Sequence, residues 1–173
     1  MHYLEGLDCS VDVVRNDAVD MEKIERYDKI VLSPGPGLPE ESNLLMKVVE
    51  KTVKSKPVFG VCLGFQAIFE HFGGSLYNQK EVKHGVAEKC SFETNSKLFQ
   101  DLPDSFDIGL YHSWAADGNV IPKTLSITAR SKNEVIMAFE HINLPVCGVQ
   151  FHPESILTEN GKKIIDNFIR YFN

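Results

Sequence analysis

The sequence has no surplus of positive charge. Its 173 residues carry 18 Lys plus Arg against 24 Asp plus Glu, a formal net charge of −6. Nucleic-acid binding rests on clustered cations that displace condensed counterions, and no basic cluster stands out, so that class is set aside. No apolar run approaches the roughly 18–20 residues needed to cross a bilayer, so no membrane role is expected. The opening Met1–Gly6 lacks the charged-then-apolar layout of a secretory leader. Cysteine is scarce as well: Cys9, Cys62, Cys90 and Cys147 form neither close pairs nor a metal-ligand spacing. They read as reduced thiols of a cytoplasmic protein, and no metal or cofactor is expected. Internal repeats and low-complexity linkers are also missing.

What remains is an ordinary globular composition, 43% hydrophobic and 24% charged, which points to one domain over 1–173. Strands are expected at Ser10–Val14, Lys29–Ser33 and Pro57–Cys62. Helices are expected at about Glu40–Ser55 and at Gly64–Phe72, the latter closed by Gly73-Gly74. That alternation predicts a parallel sheet covered by helices. The second half changes character, with strands expected at Val82–Thr94, Phe106–Tyr111, Leu125–Arg130, Val135–His141 and Pro145–Phe151. A last helix, Asn160–Phe172, buries Ile164, Ile165, Phe168 and Ile169. The fold class is therefore α/β, a helix-flanked sheet with an added antiparallel strand set.

The sharpest local signal is Gly60-Val61-Cys62-Leu63-Gly64 at a strand-to-helix junction. Glycines on either side of a nucleophile permit a tight, strained bend that lifts it above the sheet. A thiol there sits at a helix N-terminus, where free N–H groups favour the attacking thiolate. Cys9, Cys90 and Cys147 lack such a setting and read as structural thiols.

A cysteine nucleophile needs a base, and the base needs an orienting group. Gln150-Phe151-His152-Pro153-Glu154-Ser155 offers both, because His152 and Glu154 lie two apart and point to one side of an extended chain. A His-Pro-Glu tripeptide alone carries little weight; combined with the Cys62 bend it carries a good deal. Acyl transfer also requires N–H donors for the developing oxyanion, each worth about 10²–10³ in rate. Gly37, in Ser33-Pro34-Gly35-Pro36-Gly37, and Leu63 supply candidates. On its own that segment is an ordinary Pro/Gly turn, and without a following Lys-Ser or Lys-Thr it is no phosphate loop.

These segments together resemble the class I (triad-type) glutamine amidotransferases. The nearest likeness is to the small subunits of anthranilate synthase and of aminodeoxychorismate (para-aminobenzoate) synthase. The likeness is carried by Ser33–Gly37 (SPGPG), Gly60–Ala67 (GVCLGFQA), Tyr111–Trp114 (YHSW) and Gly148–Ser155 (GVQFHPES), in that order. It implies a flavodoxin-like sheet, Cys62 as nucleophile, His152 as base and Glu154 as its orienter. Gly35, Pro36 and Gly37 would line the L-glutamine site and oxyanion hole, while Gln66 and the Ser113-Trp114 segment would contact the substrate. It further implies a chorismate-binding synthase subunit (component I) as partner, serving tryptophan or folate synthesis. His112 is read as a structural histidine of a binding loop, and His84 is given no catalytic role. Position 65 is Phe where relatives often have His.

The resemblance also implies an N-terminal truncation. Members usually open with a strand and an Asp-Ser-Phe-Thr type of turn before a helix, whereas this sequence starts at what matches that helix's last turn. The strand thereby missing would lie inside the sheet, between Ser10–Val14 and Lys29–Ser33. Those two could pair directly, another chain could fill the gap, or the reading start could lie upstream. Two rival functions stay open: a stand-alone γ-glutamyl hydrolase or cysteine peptidase, and a catalytically silent or regulatory remnant.

Overall fold

A computed structural model of the chain describes residues 2–80 and 82–173. Its helices are α1 (His2–Glu5), α2 (Leu45–Thr52), α3 (Leu63–His71) and α4 (Gly161–Tyr171). Its strands are β1 (Ile30–Leu32), β2 (Val58–Val61), β3 (Leu76–Asn78), β4 (Val86–Phe92), β5 (Ser105–Leu110), β6 (Trp114–Ala116), β7 (Leu125–Ser131), β8 (Ile136–His141) and β9 (Val146–Val149). One seven-stranded sheet runs β1-β2-β9-β8-β7-β4-β5. The β1-β2-β9 part is parallel, and from β9 onward each neighbour is antiparallel. The α/β reading with an antiparallel addition therefore holds, with both parts continuous in one sheet.

The centre of that sheet is made by two short apolar runs. Every residue of β2 and β9 is buried, as expected of strands covered on both faces. One face is sealed by α3, where Phe65 and Phe69 meet Phe139 with ring centroids 4.9 and 6.0 Å apart. The other is sealed by α4, where Phe168 stacks on Phe59 at 5.2 Å. Ile164, Ile165 and Phe168 form the buried stripe of α4, and Tyr3 and Leu4 of α1 pack against the same cluster. Among the described residues no helix is long and apolar enough to cross a membrane.

Three sequence expectations need correction. Ser10–Val14 is not a strand: it has no ladder partner, and Val13 is 71% exposed. Side-chain tethers hold this stretch instead, from Tyr27 Oη to Asp12 Oδ2 (3.0 Å) and from Asn16 Nδ2 to the Ser42 carbonyl (3.2 Å). A cavity of about 800 Å³ separates it from β1, lined by Asp12–Asn16 on one side and Ile30–Leu32 on the other. Alternating valines encode a strand only where another strand receives their backbone, and the two segments do not pair directly.

The helix expected over Glu40–Ser55 is broken. A 3₁₀ turn at Pro39–Glu41 is followed by Asn43 with φ +46°, and α2 starts only at Leu45. The Ser42 hydroxyl donates to the Leu38 carbonyl (3.0 Å) and Glu41 Oε2 accepts from Leu38 N–H (3.1 Å), so side chains compete with the helical ladder. The third correction is a gain. The antiparallel pair β3–β6 escaped the sequence reading because three-residue strands show no usable period.

Candidate active site

Cys62 stands between the end of β2 and the first turn of α3, with φ +52° and ψ −99°. A side-chain-bearing residue there carries strain on the order of 1–3 kcal/mol, sustained only where its surroundings over-determine it. Both flanking peptides are anchored: Cys62 N–H donates to the Val149 carbonyl at 2.8 Å, and the Cys62 carbonyl accepts from Gln66 N–H at 3.0 Å. The two glycines of the motif are required by close approach. A Cβ on Gly60 would lie 2.5 Å from the Gly64 carbonyl, and one on Gly64 would lie 2.4 Å from the Leu32 carbonyl oxygen. The bend therefore forms because β1, β2 and α3 touch backbone to backbone beneath the cysteine.

The chain after β9 brings His152 to that sulfur. His152 N–H donates to the Gly109 carbonyl (3.1 Å), and the Thr158 hydroxyl donates to the His152 carbonyl (2.6 Å), which fixes the backbone. Its Nδ1 lies 2.8 Å from Glu154 Oε1, the contact anticipated from their two-residue spacing. The carboxylate can only accept, so Nδ1 carries the proton and Nε2 is left to face Cys62. Nε2 is buried without a hydrogen bond of good geometry. Burial opposes the imidazolium, yet hydrogen bonding and charge from Cys62 and Glu154 outweigh it, raising the His152 pKa to about 9. Burial likewise raises Glu154, but its bond to His152 prevails and its carboxyl is held below the usual range. The arrangement thus favours imidazolium beside the sulfur.

Beneath the cysteine lies a chain of buried amides. Gln150 Nε2 is 3.6 Å from Cys62 Sγ, and Gln66 Nε2 is 3.1 Å from Gln150 Oε1 and 2.9 Å from the Trp114 carbonyl. His112 Nδ1 meets the same carbonyl at 3.0 Å, so that nitrogen is the donor. Burial pushes the His112 pKa down to about 4, which keeps the ring neutral and fits a structural rather than a basic role.

The other sequence candidates are placed unevenly. Leu63 follows Cys62 as the first residue of α3, where its N–H has no intrahelical acceptor. Gly35 lies against Leu63, since a Cβ there would be 2.8 Å from Leu63 Cδ2. Pro36 and Gly37 are on the exposed lip of the same loop, Gly37 with φ +79°. Among the described residues no hydrogen bond ties these two to the Cys62–His152 pair. Ser113 is half-buried and its carbonyl accepts from Gln79 N–H at 2.7 Å. Gln66 is buried, with its NH₂ engaged inside the protein.

Gln150, Tyr111 and Ser155 belong to the sequence motifs, but no role was expected of them. The Tyr111 ring packs on the His152 imidazole at 4.8 Å, and its hydroxyl meets Ser155 Oγ at 2.9 Å. The available signal was the adjacency of Tyr111 to His112 and of Ser155 to Glu154, and the two-residue spacing of Gln150 from His152, but a one-dimensional reading has no means to show that β5 and the β9 exit converge. Among the described residues no group of His, Cys, Asp and Glu is arranged to hold a metal ion.

Comparison with known proteins agrees with this geometry. The family model for glutamine amidotransferase class-I matches residues 1–171. Anthranilate synthase component 2 of Azospirillum brasilense is 38% identical over 172 residues, spanning 98% of this chain and 87% of that protein. The protein of the same name from Mycobacterium tuberculosis is 40% identical over 174 residues, covering 98% and 75%. Among solved structures, a Thermoplasma acidophilum protein provisionally assigned to GMP synthase superposes with a TM-score of 0.86 at 28% identity, covering 97% of this chain and 83% of that one. A match over nearly the whole sequence, with a strained cysteine beside a His–Glu pair, shows that the chain belongs to the class I glutamine amidotransferases.

Proposed function

We propose that the protein is a single glutaminase domain of the cytoplasm that hydrolyses L-glutamine through a γ-glutamyl thioester on Cys62. The Cys62 sulfur attacks the side-chain amide carbon of glutamine, and His152 protonates the departing ammonia. Water, deprotonated by His152, then attacks the thioester carbon, and the C–S bond breaks to give L-glutamate and the thiolate. Glu154 holds the imidazole in the required tautomer, and the N–H groups of Leu63 and Gly37 meet the oxyanion. Gly35, Pro36, Gln66 and Ser113-Trp114 border the bound amino acid. The single observation that carries this reading is the strained Cys62 bend facing a His152 ring held by Glu154.

Ammonia in neutral water is largely protonated and a poor nucleophile, so the product is useful only if handed on under cover. The relatives named anthranilate synthase component 2 support a heteromer with a chorismate-binding synthase subunit, component I, as the consumer. Reconstitution with such a subunit tests both halves. Cys62→Ser should abolish glutamine-dependent anthranilate formation and leave ammonia-dependent formation intact. Retained glutaminase activity in that variant would overturn the mechanism. Aminodeoxychorismate as the product would move the partner to the para-aminobenzoate synthase. A folded protein whose Cys62 never reacts with diazo-oxo-norleucine would be the silent form.

A further inference from the structure

Two glutamine side chains are buried in an apolar setting between the nucleophile and β6. Gln150 is 0% exposed and sits between Val149 and Phe151, both also fully buried. A buried amide is retained against its desolvation cost only where each polar atom finds a partner. Here the partners also fix which way each amide points.

The chain of donors has one possible polarity. It ends on the Trp114 carbonyl, which can only accept, so Gln66 must turn its NH₂ toward it at 2.9 Å. The same NH₂ is 3.1 Å from the Gln150 amide, which must therefore present its oxygen to Gln66. The Gln150 NH₂ is left facing Cys62 Sγ at 3.6 Å. Turning Gln150 over would set two NH₂ groups against each other and aim an amide oxygen at the sulfur. Trp114 is held in place by the β3–β6 pairing, where it lies opposite Asn78.

We propose that the Gln150 side-chain amide is a catalytic hydrogen-bond donor to the Cys62 sulfur, aimed by Gln66 and, through it, by the Trp114 carbonyl. The inference deepens the thioester reading of the site and rests on it. A donor on sulfur stabilises the thiolate over the thiol, and so assists both the attack and the departure of sulfur when the thioester is hydrolysed. His152 and Gln150 then divide the work. His152 moves protons, whereas Gln150 holds negative charge on the sulfur without exchanging a proton. Gln66 is a positioning residue acting through Gln150.

The test is the pH dependence of Cys62 alkylation by iodoacetamide, followed by mass spectrometry of the Cys62 peptide and independent of glutamine. Gln150→Leu should raise the pH of half-maximal rate by about one unit, a roughly tenfold smaller thiolate fraction below the midpoint. Gln150→Met is close in length and carries no donor, so its midpoint should rise by a similar amount. Gln66→Leu should shift it the same way by less. In the glutaminase assay kcat should fall while KM stays near its original value, because the amide touches sulfur and not substrate. Unchanged alkylation midpoints in the folded Gln150 variants would overturn the proposal, and Gln150→Met decides the matter should Gln150→Leu not fold. Failure of the thioester mechanism looks different: Cys62→Ser would keep glutaminase activity whatever the alkylation profile of the glutamine variants.

Discussion

Strands β1 and β2 are adjacent, parallel and equally apolar, yet they live in different environments. Each residue of β2 is buried, with β1 on one side and β9 on the other. Among the described residues β1 has a partner on one side only. Ile30 N–H donates to the Pro57 carbonyl, so Ile30 and Leu32 face β2 and the Val31 N–H and carbonyl face the cavity toward Asp12–Asn16. Val31 is 39% exposed as a result. Valine and isoleucine chemistry does not by itself make a core; pairing and coverage on both sides do. The strained cysteine is found at the end of the strand that has both. A cavity of about 800 Å³ lies at the other strand, and its lining extends through Gly35 and Pro36 to Leu63, next to the Cys62 bend.

If the centre is over-determined and the edge is not, the largest effect should come from loosening the centre's electrostatics. Glu154→Gln removes the charge that helps hold His152 protonated. It should lower glutaminase kcat by about 10² or more, the scale of a misdirected acid–base group. The variant's His152 should also lose its proton at a pH moved from about 9 back toward 6.5. The stability contribution has a definite sign. A pKa raised by folding stabilises fully below about 6.5 and the gain disappears as pH rises to about 9. Thermal melts between those values should therefore decline with pH in the parent protein and less steeply in Glu154→Gln. Equal slopes would remove Glu154 as the cause.

A smaller effect, on stability, is expected where the two strands meet the helix. Gly64→Ala puts a methyl 2.4 Å from the Leu32 carbonyl oxygen, a backbone atom with no rotamer to change. β1 or α3 must shift, at a cost of about 1–3 kcal/mol in urea unfolding. Gly35→Ala meets only the end of the Leu63 side chain at 2.8 Å, so its cost should be lower. If the two variants were equally stable, the backbone contact that shapes the bend would be absent.

The same contrast explains what could be read in the sequence. The Cys62 bend and the His152–Glu154 contact were legible because backbone sterics and hydrogen bonding demand particular residue types at short, fixed spacings. The buried runs of β2 and β9 and the stripe of α4 were legible because packing on both faces leaves an unbroken apolar signature. Ser10–Val14 misled because strand propensity reports the ability to pair, and pairing is a property of a neighbour. The Gln66–Gln150 link was illegible because it joins residues far apart in the chain, and the Trp114 carbonyl that orients it lies on β6, an element too short to announce itself. The break at Ser42-Asn43 was legible in principle, since both residues favour local turns, but the apolar spacing of α2 masked it.

His112 offers a gentler probe of the centre. Its pKa of about 4, set by burial and opposed by the bond to Trp114, means the folded state resists its protonation. His152, Lys83 and Glu88 act on it more weakly. A base with a depressed pKa costs nothing above about 6.5 and destabilises as pH falls from there toward 4. His112→Asn keeps a donor for the Trp114 carbonyl and removes the titration. Its melting temperature should fall less between those pH values than that of the parent. Parallel acid profiles for the two proteins would mean that other groups govern the acid limb.

The smallest effects belong to the edge. Val13→Ser removes apolar surface that is mostly in water already, so it should change stability by no more than about 0.5 kcal/mol. Hydrogen exchange then makes the comparison residue by residue. Protection depends on the acceptor each N–H has in the fold. The N–H groups of Ser10–Val14 and Val31 should exchange with little protection, while Ile30 and Val58, bonded to the Pro57 and Pro145 carbonyls, should exchange far more slowly. Alternation between Ile30 and Val31 is the decisive reading, because the two are neighbours on one strand and their N–H groups point to opposite sides. Strong protection at Val31 in the isolated chain would mean that its outer edge is paired after all, and that the difference between β1 and β2 is one of degree.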